Sequence, residues 1–160
     1  MPGMLKRVET SPFDLLAWLE GETEADGVFE DRSGHLKRRF RVEMTGTPST
    51  NGLNLDERFV FDDGERLNRV WRLERDGPAS FTGTCEDAVS VAKGRFEMGA
   101  AYLSSELRVA VGSRSIAMRF SDAFYEIGNG MVLNRSTVSK WGMRIGQVLI
   151  LFRKPSQLSP

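Results

Sequence analysis

Leu53-Asn54-Leu55-Asp56-Glu57-Arg58-Phe59-Val60-Phe61, then Asp62-Asp63-Gly64-Glu65, then Arg66-Leu67-Asn68-Arg69-Val70-Trp71-Arg72-Leu73 is the stretch that decides the fold. On each side of the central turn apolar and polar residues alternate with period two, as in strands with one face in a core. Asp63-Gly64 accepts positive φ cheaply, so the two strands form a hairpin and lie antiparallel and adjacent.

The same rhythm extends from about Glu22 to Phe152. It predicts strands over 22–30, 35–45, 53–62, 66–74, 79–86, 89–98, 101–111, 114–126, 131–140 and 143–153. Ser33-Gly34, Asp76-Gly77, Gly112-Ser113 and Asn129-Gly130 supply further turns. Strands joined this tightly pair in sequence order, and a long meander left open would expose two edges. The expected fold is therefore all-β, an antiparallel up-and-down meander closed into a barrel of about 8–10 strands. A two-sheet sandwich is the alternative, because alternation does not show closure.

Before the strands, Ser11-Pro12-Phe13-Asp14 reads as a helix start with Ser11 as cap, and Gly21 as a stop after 13–20. Phe13, Leu15, Leu16, Ala17, Trp18 and Leu19 leave this segment apolar around its circumference. It is expected to plug one end of the barrel rather than lie on a wet surface; docking on a partner or a membrane is the alternative.

The 160 residues suit one domain over 11–153, with 1–10 and 154–160 as flexible ends. Lys+Arg and Asp+Glu number 22 each, so no net charge draws the chain to nucleic acid. The densest basic run, Lys37-Arg38-Arg39-Phe40-Arg41, would be split between two faces of a strand rather than form one phosphate site. A single cysteine, Cys85, precludes an internal disulfide. No apolar run approaches the roughly 20 residues of a membrane helix, and the N-terminus lacks a signal's apolar core. The expected location is cytoplasmic.

Alternation also assigns faces. Arg38 falls on the row of Leu36, Phe40, Val42 and Met44, and Glu57 on that of Leu53, Leu55, Phe59 and Phe61. Arg69 accompanies Leu67, Trp71 and Leu73, while Asp122 accompanies Ile116, Met118, Phe120 and Phe124. Four strands thus each send one ionisable group inward, with signs that cancel. Unpaired buried charges are costly, so these groups are expected to meet one another. They form either an architectural ion-pair network or a binding site in which the arginines receive an acidic headgroup. An undetected bulge would shift this parity. Asn134 and Arg135 could line a barrel mouth, and both faces of their strand are mixed. Tyr102, Glu106 and Arg108 are read as external, because Leu103, Leu107, Val109 and Val111 mark the opposite face as interior.

Catalytic and metal constellations are missing from the pattern. The lone His35 sits beside a turn, one His and one Cys do not make a zinc site, and no phosphate-binding glycine loop occurs. No cofactor and no metal site is expected, and no residue is assigned a catalytic role. Glu57 or Asp122 could serve acid–base chemistry, although neighbouring arginines would depress their pKa values.

Asp31-Arg32-Ser33-Gly34 with Arg38-Arg39-Phe40, the Leu55–Glu65 stretch and Arg69-Val70-Trp71-Arg72-Leu73 carry a family resemblance. So do Leu133-Asn134-Arg135, Ser139-Lys140-Trp141-Gly142 and Leu151-Phe152-Arg153. Together they resemble the DUF3833 family of bacterial proteins, from about Phe13 to Arg153. The family is one of unknown function, and the resemblance implies a lipocalin-like (calycin) barrel. Many similar proteins look like envelope lipoproteins; here Cys85 is mid-chain and no signal precedes Phe13. The motif positions Arg38, Glu57, Arg69, Asn134, Arg135 and Lys140, with Trp71 and Asp122, are the candidate ligand-binding residues. The expected function is non-catalytic binding of a small amphipathic or anionic molecule, with a carboxylate-based isomerase or hydrolase and a structural or partner-binding barrel as alternatives.

Overall fold

The computed structural model describes residues 11–155. Ten strands follow one another: β1 (Gly21–Asp31), β2 (Leu36–Ser49), β3 (Gly52–Phe61), β4 (Arg66–Gly77) and β5 (Ser80–Thr84) form the first half. The second half comprises β6 (Ala92–Glu97), β7 (Ala100–Val111), β8 (Arg114–Ile127), β9 (Met131–Lys140) and β10 (Met143–Arg153). Each pairs antiparallel with its neighbours in sequence, and β1 pairs with β10 from Glu24↔Arg153 to Asp31↔Gly146. The sheet is a closed barrel, which settles the choice against a sandwich.

Alternation then sends Ala25, Val42, Met44, Leu53, Phe81, Leu107 and Val132 into the interior, all nearly fully buried. Phe81 crosses over Gly94, its partner across the β5–β6 ladder, and stacks on Phe96 at 4.9 Å. Any Cβ at Gly94 would run into the Phe81 ring, so glycine here makes room for the aromatic.

One end of the barrel is closed by a single helical turn, α1 (Leu15–Trp18), whose Leu15 and Leu16 are buried. This corrects the expected helix over 13–20. Asp14 is the N-cap and accepts from the Ala17 amide at 3.1 Å, while Ser11 precedes an extended segment. There Pro12 bridges Met98 and the Phe13 amide donates to the Glu97 carbonyl, so that backbone is engaged with the barrel rim before the turn begins. A side chain at Gly46 would collide with the Leu19 carbonyl; glycine lets the end of the turn seat against β2. Of the flexible ends expected at 1–10 and 154–160, residues 1–10 and 156–160 lie outside the described residues. Lys154 is held, donating to the Glu20 carbonyl at 3.1 Å and to Thr23 Oγ1 at 2.9 Å.

The opposite end is asymmetric. β5 and β6 are shorter than the expected 79–86 and 89–98, and residues 85–91 between them form a loop. The loop turns aside to run along β7, with Ala88 bridging Leu107, the Val89 amide donating to Glu106 and the Arg108 amide to Asp87. β4 pairs with β5 only over Arg72–Gly77, so beside Arg66–Trp71 the wall is completed by this loop instead of a strand.

Replacing Gly94 by valine should destabilise the protein by about 1–3 kcal/mol through forced overpacking against Phe81. Urea unfolding measures this, and pairing the change with Phe81→Ala should recover part of the loss if the clash is its cause.

Candidate functional site

The barrel interior is incompletely filled. A cavity of about 170 Å³ lies beneath α1, walled mainly by apolar side chains that include Leu55, Leu107, Phe120 and Phe124. Its polar patch comes from four strands: Glu57 on β3, Arg69 and Trp71 on β4, Asp122 on β8, and Asn134 and Ser136 on β9. Register brings them together. Glu57 is directly opposite Arg69, Asp122 opposite Ser136, and Phe124 opposite Asn134, with no bulge in either ladder.

Hydrogen bonding divides these groups unequally. Arg69 Nε donates to Asp87 Oδ2 at 3.2 Å, so the cavity arginine is paired with the 85–91 loop and fastens it to β4. Asn134 donates from Nδ2 to Asp122 Oδ1 and to the Ala123 carbonyl, both at 3.1 Å. Among the described residues Glu57 Oε1 is buried without a hydrogen-bond partner; buried Ser136 Oγ makes none of good geometry, although it is close enough to Asp122 to favour the carboxylate. Glu57 and Asp122 are each half-buried as a whole and border the cavity, with the Glu57 Oε1 end of its carboxyl fully buried.

Electrostatics follow from that placement. Desolvation pushes the Glu57 carboxyl up to about 7; Arg69 opposes the rise, Asp122 adds to it and Trp71 pulls against it. Desolvation likewise raises Asp122 to about 6, against the stabilising influence of Asn134, Ser136 and Arg69. This corrects the expectation that neighbouring arginines would depress both values. The removal of water outweighs one arginine whose nearest carboxylate is Asp87.

The expected meeting of four inward charges is also corrected. Arg38 follows the interior parity but lies at the end of its ladder, where the β1–β2 register shifts between Phe29 and Glu30. Its guanidinium stacks on Phe61 at 3.9 Å and bonds Asp63 at 3.1 Å and Glu65 at 3.2 Å, both in the β3–β4 turn. The rest of its basic run is matched as well: Lys37 with Asp31, Arg39 with Asp62 and Arg41 with Glu24.

Of the candidate residues, Glu57, Arg69, Trp71, Asp122 and Asn134 border the cavity. Arg135 is exposed on the outer face and donates to the Tyr125 hydroxyl at 2.9 Å. Lys140 reaches the Ala117 carbonyl at 3.5 Å and lies 4.3 Å over Trp141, at the β9–β10 turn. Tyr102 packs under Arg95 and Glu106 pairs with Arg119, on the outside as expected. Sequence reasoning missed Ser105, Ser136 and Asp87. Ser136 shares the parity of Asn134, a signal that was present; Asp87 reaches Arg69 from an irregular loop, where no periodicity points to it.

A closed ten-stranded meander with a cavity under an end plug defines a lipocalin-like barrel. The chain belongs to DUF3833, described as a protein of unknown function, whose family model matches residues 5–154. No curated protein matches it. Among solved structures it is similar to a protein of unknown function from the DUF3598 family of Nostoc punctiforme, at TM-score 0.60 and 14% identity. That match covers 89% of this chain and 49% of the other, so the chain spans about half of that protein's length. It is also similar to the S-type phycobiliprotein lyase CPES from Guillardia theta, at TM-score 0.62 and 9% identity, covering 89% and 92% of the two chains. Identities this low speak for the fold alone. Among the described residues no helix is long and apolar enough to cross a membrane.

A carboxyl whose pKa is raised on folding stabilises the protein below its unfolded value and loses that contribution as pH rises through the folded value. For Glu57 the window runs from 4.5 to about 7 and for Asp122 from 3.8 to about 6. Stability should therefore fall between roughly pH 4 and pH 7, by about 3 kcal/mol for Glu57 taken alone. Glu57→Gln should flatten this slope and exceed the parent in stability at pH 8 but not at pH 4, as read by urea unfolding across pH. An unchanged slope would contradict the assignment.

Proposed function

We propose that this protein is a non-catalytic binder that holds a small, predominantly apolar molecule inside its barrel. The observation that carries the reading is the cavity of about 170 Å³ with a concentrated polar patch in an otherwise hydrocarbon wall. A volume near 150 Å³ is enough to take up benzene when the lining is apolar. Apolar walls supply affinity, and a few convergent polar groups fix orientation. The unpartnered Glu57 Oε1 speaks against a purely architectural network, in which buried polar groups would satisfy one another.

One observation favours a second reading, the carboxylate-based isomerase or hydrolase. A Glu57 carboxyl near 7, in contact with a cavity, is matched to proton transfer at neutral pH. The two readings part on the fate of the ligand: a binder returns its ligand unchanged after prolonged incubation, whereas an enzyme converts it, and Glu57→Gln stops the conversion.

Toluene should bind the purified protein at one equivalent, raising the melting temperature and altering the fluorescence of Trp71 in the cavity wall. Ser105→Phe, which fills the cavity from β7, should keep the far-ultraviolet circular dichroism of a β-barrel and abolish both responses. Toluene binding that survives this substitution would place the site elsewhere, and no binding to either form would refute the reading.

A further inference from the structure

We propose that the molecule this interior accepts is a protonated amine on a small hydrocarbon or aromatic body, its ammonium group seated between Glu57 and Asp122; this rests on the binding reading above. Supply and demand among hydrogen-bonding groups select the headgroup. An acidic headgroup would require a free cation, yet both arginines that parity points inward have carboxylate partners. Arg38 is held at the rim by Asp63 and Glu65, and Arg69 by Asp87.

The cavity instead has acceptors to spare. Among the described residues Glu57 Oε1 has no donor, and the Asp122 carboxylate takes one hydrogen bond of good geometry, from Asn134, with Ser136 close enough to favour its charge. With Arg69 and Asp87 neutralising each other, ionised Glu57 and Asp122 leave the interior negative. A carboxylate ligand would be repelled there; an ammonium group carries three donors and the opposite charge. The remaining wall, with Leu55, Leu107, Phe120 and Phe124, suits a body of one ring or a short branched chain.

Proton balance sharpens the expectation. The charged groups influencing Glu57 are Arg69 from β4, Asp122 from β8 and Asp56 from its own strand, with Asp87 facing Arg69 from the loop. While the cavity lacks a cation, desolvation favours the protonated carboxyls. A seated ammonium reverses that preference, so its binding expels protons to solvent and strengthens as pH rises from 5 to 8.

Three isosteric probes test this by isothermal titration calorimetry: 2-phenylethylamine, 2-phenylethanol and phenylacetate. The amine should bind at least about tenfold more tightly than the alcohol at pH 8, and phenylacetate should bind least. Proton release, read from the dependence of heat on buffer ionisation at pH 6, should accompany the amine alone. Glu57→Gln should weaken the amine at least about tenfold while sparing the alcohol, and Asp122→Asn should do the same in milder form. Equal binding of amine and alcohol, or preference for phenylacetate, would overturn the charge assignment and leave the binding reading intact. Failure of all three probes to bind would overturn both. The comparison among probes uses the unmodified protein, so it stands even if a variant fails to fold.

Discussion

Closure of the sheet is the constraint from which the rest follows. The β1–β10 ladder converts a meander with two open edges into a ring, and every residue of a strand is then committed to the inside or the outside. Because the period is two, no strand can shift its register by one without exchanging its whole apolar row for its polar one. Glu57, Arg69 and Asp122 share rows with Leu55, Trp71 and Phe120 and are carried inside with them. Their burial is thus a consequence of topology.

Inside, desolvation and pairing compete, and the outcome differs from group to group. Arg69 finds a carboxylate at 3.2 Å in Asp87, a residue supplied by the loop that completes the wall beside β4. Glu57, directly across the ladder from Arg69, is left with one oxygen unsatisfied and a proton affinity raised to about 7. A fully paired network would be structural cement. An acceptor left over at the edge of a cavity is a site awaiting a donor, and the fold leaves it there because the neighbouring arginine is engaged elsewhere.

Much of this was legible from residues alone. Alternation and glycine-bearing turns located all ten strands, and parity selected Glu57, Arg69 and Asp122 because uninterrupted ladders run through each of them. The failures have physical causes. Arg38 obeys parity, but its strand is at the end of a ladder beside a register shift, where a long side chain can swing out to the turn acids. The helix begins at Leu15 because Pro12 and Phe13 are first engaged by β6 and the turn after it. The 85–91 loop escaped because its contacts are to β7, remote in sequence and set by three-dimensional fit. Ser136 was readable and overlooked: a small polar residue in step with Asn134 on a mixed strand marks where a wall passes a polar cavity.

The central claim is that closure strands the Glu57 carboxyl, desolvated and incompletely paired, at the edge of a cavity. The most direct measurement is a pH titration of the side-chain carboxyl ¹³C resonances by NMR, with Glu57 assigned through Glu57→Gln. Glu57 should show a midpoint near 7, well above the 4.5 of an ordinary glutamate. A midpoint at or below that ordinary value would mean that the carboxylate is hydrated or fully paired, and would contradict the claim.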